Sequence, residues 1–237
     1  MQNLKRWMRA VQIHKFGGPD VLKVEDIPEP TLRDNEVKIS MKACGINHLD
    51  IWVRKGLPGI NLPHIPGSDG AGEIIEVGKN VDKWNLGDEV MIHPGMSCGK
   101  CRWCDANKEN FCDNYKILGE SCGGVQSEYF CIDEKNIVKK PDHLTFAEAA
   151  SMPLVFMTAW QMLIDRAELQ NGEWVLIYGG SSGVGSAAIQ IAKNAGANVI
   201  ATVGSEMKIE HSRKMGADFV LNHYDENWVK IAKEYSN

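Results

Sequence analysis

In the stretch 37–42, apolar Val37, Ile39 and Met41 alternate with Lys38, Ser40 and Lys42, the period of a strand with one buried face. Similar short runs recur at 21–24, 73–77, 89–93 and 128–132. Turn signals separate them: Gly17-Gly18-Pro19, Pro28-Glu29-Pro30, Leu57-Pro58-Gly59 and Leu86-Gly87-Asp88. Many short strands punctuated by glycine and proline predict a β-barrel-like domain over roughly 11–139, with one short helix at 48–54.

The pattern changes near Pro141. Thr145-Phe146-Ala147-Glu148 reads as a capping box, with Thr145 as cap and Glu148 reaching back, and apolar residues continue through Ile164 as one long helix or two short ones. Trp174-Val175-Leu176-Ile177 reads as a buried parallel strand, and a helix follows at 186–193. Further strands at 198–203 and 218–221, and helices at 206–215 and 227–235, complete a β-α-β-α-β-α series. That is the first half of a doubly wound parallel sheet. The expected fold class is therefore α/β, with domains at 8–145 and 146–237 and residues 1–7 a loose extension. The second half of the doubly wound sheet has no strands left in the chain, which marks either a fragment or an unusual second domain.

Composition narrows the class of protein. The 237 residues are 43% hydrophobic and 24% charged, which excludes a disordered chain or a fibre. A net charge of -5 without a basic, aromatic-interleaved stripe argues against a nucleic-acid partner. No run approaches a membrane span, and residues 1–7 are not followed by the apolar stretch of a secretory signal. The seven cysteines include a tight cluster, which fits a reducing compartment. A cytoplasmic location is expected.

Two stretches carry chemistry. Tyr178-Gly179-Gly180-Ser181-Ser182-Gly183-Val184-Gly185 joins a strand to a helix, the setting of a phosphate cradle in which glycines admit the ligand and the helix N-terminus faces it. Ser182 stands where the middle glycine of the usual pattern would be, so a tight structural turn is the alternative. Cys98, Cys101, Cys104 and Cys112 have the spacing of a closed four-thiolate zinc site, with Gly99 giving the backbone room to turn; free thiols or two disulfides are the alternatives. Cys44, Cys122 and Cys131 read as ordinary core residues. The second predicted strand of the sheet ends Ala201-Thr202-Val203-Gly204-Ser205 without the carboxylate that binds a ribose 2′-hydroxyl. Ser205 and Lys208, and more weakly Arg213, could instead hold a 2′-phosphate, so NADPH is favoured over NADH.

With these motifs, Ala43-Cys44-Gly45-Ile46-Asn47-His48-Leu49-Asp50 and Pro66-Gly67-Ser68-Asp69-Gly70-Ala71-Gly72, the chain resembles the medium-chain dehydrogenase/reductase superfamily from about Arg9 onward. The resemblance implies a GroES-like catalytic domain carrying one structural zinc lobe, followed by a Rossmann domain. Zinc alcohol dehydrogenases of that superfamily place metal ligands where this chain has Asn47, Ser68 and a position near Leu154. With all three absent, the chain is similar to the zinc-independent quinone oxidoreductase branch. That similarity implies NADPH-dependent reduction of quinones or other activated alkenes or carbonyls. Cofactor contacts then fall to Gly180, Ser181, Ser182, Gly183, Val184, Gly185, Ser205, Lys208 and His223, the last lying where similar reductases carry a tyrosine, or being an exposed loop histidine.

At the reacting centre, Asn47 is expected to donate to a developing oxyanion, with Asp50 orienting its neighbours. Arg54 supplies positive charge, or is a surface residue, or pairs with Asp50 one turn earlier. Trp52 occupies the position nearest the acid tyrosine of related enoyl reductases, so no proton donor is evident. Two other outcomes stand beside this one. Cys44, His48, His64, Asp69 and His93 could build an unconventional catalytic metal site in an alcohol dehydrogenase, or the chain could be a cofactor-binding fragment without turnover. A small-molecule substrate is implied in either enzyme case, and a homodimer is left open.

Overall fold

β1 (Trp7–Ile13) and β2 (Leu22–Pro28) form an antiparallel hairpin in the computed structural model, which describes residues 6–236. Trp7 already pairs with Pro28, so the extension expected over residues 1–7 is shorter at its end; residues 1–5 lie outside the described residues. Next come β3 (Glu36–Cys44), α1 (His48–Gly56), β4 (Gly70–Val77), β5 (Glu89–Ile92) and the short β6 (Gly95–Met96). A lobe follows with α2 (Arg102–Asp105) and β7 (Lys116–Ile117), then β8 (Tyr129–Asp133) and β9 (Ile137–Lys139). Five of these strands make an antiparallel sheet in the order β8-β3-β4-β5-β9. Its inner face buries Val37, Ile39, Ile74, Val90 and Ile92, with Leu118 and Val125 from loops closing the core.

The alternation in β3 holds on the apolar side and fails on the other. Lys38 is only 5% exposed, because Glu29 and Glu76 reach its Nζ at 2.7 and 3.1 Å and the Tyr129 ring lies beneath it. A buried ammonium is tolerable only when paired in this way.

α3 (Phe146–Ala150) starts at the expected cap, with Thr145 Oγ1 accepting from the Glu148 N–H and the Glu148 carboxylate accepting from the Thr145 N–H. Its Ala149 and Ala150 are buried with Ala71 and Met91 of the first sheet. The helix therefore belongs to the first unit, and the chain divides between Leu154 and Val155, later than the boundary expected after residue 145. α4 (Pro153–Trp160) crosses that division and runs into a π-helical turn at Gln161–Arg166, the second of the two short helices.

The second unit alternates β10 (Trp174–Tyr178), α5 (Gly183–Asn194), β11 (Asn198–Val203), α6 (Glu206–Lys214), β12 (Phe219–Asn222) and α7 (Trp228–Tyr235). The three strands are parallel in the order β10-β11-β12, the arrangement of the first half of a Rossmann sheet. Ala187, Ala188, Ile189, Ile191 and Ala192 on one side of α5 are buried in one cluster with Ile177, Val199 and Ala201. β10 departs from the buried strand expected. Trp174, Leu176 and Tyr178 are exposed, because β10 pairs only with β11 among the described residues and one of its faces lies open.

Candidate active site and metal centre

β3 ends at Cys44, and the chain turns through Gly45 and Ile46 to Asn47, the N-cap of α1. Its extended backbone (φ -109°, ψ 157°) lets the helix begin at His48, where Asp50 closes the first turn by accepting from the Asn47 N–H at 2.7 Å. The other Asp50 oxygen accepts from the Gly67 N–H at 3.1 Å, which ties the helix start to the segment leading into β4. Asp50 thus joins the start of α1 to the segment before β4 through two backbone N–H groups.

The Asn47 side chain meets a residue outside the predicted site. Its Nδ2 donates to Asp69 Oδ2 at 2.8 Å, and the Leu154 N–H in the first turn of α4 donates to Asp69 Oδ1 at 2.8 Å. Asp69 is 1% exposed, and burial pushes its carboxyl up to about 6, against the pull of these two donors. Burial also raises Asp50, and it pushes the Cys44 thiol up to about 11 with help from the Asp50 charge. The sequence had offered Asp69 as the acid in Gly67-Ser68-Asp69 and as a candidate ligand of the alternative metal site, not as a partner of Asn47.

Arg54 is not part of this cluster. Its guanidinium donates to the Gly17 carbonyl, while Gly17 N–H donates back to the Arg54 carbonyl at 3.0 Å. It is 9% exposed and forms no ion pair with Asp50 among the described residues. The positive charge expected beside Asn47 is instead engaged in holding the loop at 17–18.

The alternative metal ligands are likewise engaged elsewhere. His64 Nε2 contacts the Gly119 carbonyl at 2.9 Å, His93 Nδ1 contacts the Gly95 carbonyl at 3.0 Å, and Cys44 Sγ donates to the Val125 carbonyl at 3.2 Å. His48 packs edge-on against exposed Trp52. Ser68, fully buried, donates its hydroxyl to the Leu118 carbonyl at 2.7 Å.

Among the described residues, one group of potential ligands does gather. The sulfurs of Cys98, Cys101, Cys104 and Cys112 all lie within 4.8 Å of one another, and all four cysteines are free of disulfides. A tetrahedral zinc with Zn–S bonds of about 2.3 Å has S···S edges of about 3.8 Å. The Cys98–Cys104 and Cys101–Cys104 separations are 3.9 and 3.6 Å, so the donor set fits that ion. Gly99 has φ +67°, a conformation that glycine adopts without strain, and the N–H groups of Cys98 and Asn114 point at Cys112 Sγ from 3.3 and 3.4 Å. The Cys104 N–H pulls the Cys101 thiol down to about 6, while, against the Cys98 N–H, burial and the bonds to Cys98 and Cys104 hold the Cys112 thiol up at about 11, so the sulfurs titrate as one group.

In the second unit, Gly180 (buried), Ser181 and Ser182 lead from β10 to α5, and Gly183, Val184 and Gly185 form the first turn of α5. Ser182 is the N-cap of α5, its Oγ accepting from the Gly185 N–H at 3.0 Å, which explains why serine serves where a glycine was expected. A Cβ at Gly185 would stand 2.2 Å from the Gly179 carbonyl, so no larger residue fits there. Ser181 and Val184 are half-buried on the same turn. Ser205 caps α6 at the tip of β11 without using its hydroxyl on the helix, and Lys208 is exposed one turn on. His223, at the end of β12, stacks on Tyr178 with ring centroids 5.0 Å apart and stands beside Gly204. It is half-buried rather than an exposed loop residue, and its Nδ1 has no hydrogen-bond partner among the described residues.

These units match known proteins in the same order. Residues 33–142 match the alcohol dehydrogenase GroES-like domain family, and residues 183–237 match the zinc-binding dehydrogenase family. The chain is 34% identical to the crotonyl-CoA carboxylase/reductase of Cereibacter sphaeroides, over 94% of this chain and 55% of that protein. It is 33% identical to the quinone oxidoreductase of Homo sapiens, over 98% of this chain and 63% of that protein. A solved structure named as an NAD-dependent alcohol dehydrogenase superimposes with a TM-score of 0.93 at 46% identity, covering 97% of this chain and 67% of the other. The chain thus spans between about half and two thirds of the length of these relatives. With its GroES-like unit and half Rossmann sheet, and with these three relatives named as reductase, oxidoreductase and dehydrogenase, the chain belongs to the medium-chain dehydrogenase/reductase superfamily.

Proposed function

We propose that this chain serves an NADPH-dependent reductase of quinones or other activated alkenes and carbonyls, working by hydride transfer without a catalytic metal. One observation carries the reading. The positions that would supply a catalytic zinc are Asn47, Ser68 and one near Leu154, and groups there are committed to hydrogen bonds: Asn47 Nδ2 and Leu154 N–H to Asp69, Ser68 Oγ to the Leu118 carbonyl. The likeness to a protein named quinone oxidoreductase supports the same direction.

Bound NADPH supplies the hydride. Gly180 to Gly185, with the free N–H groups at the start of α5, would hold the pyrophosphate, and Ser182 keeps that turn in shape. Ser205 and Lys208 would hold the 2′-phosphate, while His223 and Tyr178 offer an aromatic ledge beside it. Asn47 presents its second amide N–H to the oxygen on which charge develops, and Asp50 fixes the helix start that aims it. Arg54 acts at a distance by fastening the loop at Gly17. Cys98, Cys101, Cys104 and Cys112 would hold one zinc that stabilises the lobe and takes no part in turnover. A small-molecule substrate, a cytoplasmic location and an optional homodimer complete the proposal; among the described residues no helix is long and apolar enough to cross a membrane.

A second reading, zinc-dependent alcohol oxidation with unconventional ligands, draws on the 46% identity to a protein named NAD-dependent alcohol dehydrogenase. A third, cofactor binding without turnover, draws on the share of its relatives that the chain spans. One assay separates them: oxidation of NADPH and NADH with a panel of quinones and enones, alongside NAD-dependent alcohol oxidation. Quinone or enone reduction preferring NADPH is the expected result. Alcohol oxidation alone would support the second reading, and binding without any turnover the third.

A further inference from the structure

We propose that Asp69 is a positioning residue that fixes the Asn47 side-chain amide in one of its two orientations, so that the Nδ2 hydrogen not used by Asp69 remains available to the reacting oxygen. The proposal rests on the reading of Asn47 as an oxyanion donor, and the Asn47–Asp69 contact itself is geometric.

An ionised carboxylate accepts hydrogen bonds only, and of the two ends of an asparagine amide only the NH2 can donate. Asp69 Oδ2 at 2.8 Å from Asn47 therefore specifies that Nδ2 faces it. Asp69 is itself held: Oδ1 accepts the Leu154 N–H at 2.8 Å, and the Asp69 backbone carbonyl accepts the Gly45 N–H at 2.9 Å, two residues before Asn47. One of the two Nδ2 hydrogens is spent on Asp69, and the other is free to be offered. A protonated Asp69 loses this selectivity, because its O–H can donate to the amide oxygen and favour the reversed orientation. The orientation is thus coupled to one ionisation.

The titratable groups that face this centre are Asp50 on α1 and Cys44 at the end of β3. Asp50 raises Asp69 through its charge, and Cys44 stays neutral because burial holds its thiol up at about 11. α4 has no titratable side chain in Pro153–Trp160 and meets Asp69 through the Leu154 N–H, and Arg54 is turned to Gly17. With Asp69 raised to about 6, the amide is held above that pH and released below it.

The test combines isotope-edited NMR of the Asn47 side-chain amide with steady-state reduction of p-benzoquinone by NADPH, both across pH, in the parent and in Asp69→Asn and Asp50→Asn. In the parent, both Asn47 amide proton resonances should move with a midpoint at about 6. The maximal rate should fall on the acid side with the same midpoint, while KM changes little. Asp69→Asn should flatten the resonances and the acid limb together, at a rate lowered about tenfold or more. Asp50→Asn removes a negative charge and should shift both midpoints to lower pH without abolishing them. Asn47 resonances that do not titrate in the folded parent would overturn the proposal, as would an acid limb that persists in Asp69→Asn. If the parent reduces no quinone or enone, the functional reading fails, while the resonances still decide the positioning role. If Asp69→Asn does not fold, the titration of the parent decides alone.

Discussion

Asp69 holds a carboxyl in a place where water cannot solvate it, and two N–H donors offset only part of that cost. Its value rises from 3.8 to about 6, so the native chain keeps a proton that the unfolded chain has already released. Folding stability from this group is therefore lost as pH rises between about 4 and 6, and the shift corresponds to about 3 kcal/mol. Asp69→Asn removes the ionisation. The difference in urea-unfolding free energy between variant and parent should grow in the variant's favour by up to about 3 kcal/mol from pH 4 to pH 7. A pH-independent difference would contradict the burial argument. Asn47 and Asp50 were legible only through the resemblance of the segment 43–50, and the contact between them is local, three residues apart at a helix start. Asp69 lies 22 positions from Asn47, and only the pairing of β3 with β4 brings the two segments together. Arg54 shows the converse: its spacing from Asp50 suited an ion pair, and the Gly17 carbonyl took it instead.

Elements built from local chemistry were the readable ones. The Thr145–Glu148 box and the strand–turn–helix at 174–194 appear where their residues place them. Ser182 as the cap of α5 makes a direct test: Ser182→Ala should cost about 1 kcal/mol in the unfolding of the second unit. Gly185→Ala should do more, because the new methyl meets the Gly179 carbonyl; NADPH affinity, read by fluorescence titration, should fall about tenfold or more. Unchanged affinity would remove the cradle from the binding site. In the cysteine lobe, Cys101→Ser should release the zinc and open residues 98–112 to protease, and retention of the metal would reject the four-thiolate shell. Faces were harder to read than elements. The outer side of β3 buries Lys38, and the open side of β10 exposes Trp174, Leu176 and Tyr178. An apolar run shows that a strand can be buried, while its neighbours decide which face is covered.

The molecule as a whole joins an antiparallel unit that carries the polar centre to a parallel unit that carries the nucleotide turn, with α4 running across the division. The family follows from both units together, since a half Rossmann sheet alone serves many chemistries. Within that family, what separates a metal-free reductase from a zinc alcohol dehydrogenase is how many zinc ions the working protein needs. Four clustered cysteines would hold one ion, and Asn47 is bonded to Asp69. The decisive measurement is the zinc content of protein that is reducing p-benzoquinone with NADPH, determined by elemental analysis against active-chain concentration. One zinc per chain is the expected value, and a second zinc whose removal stops turnover would contradict the account.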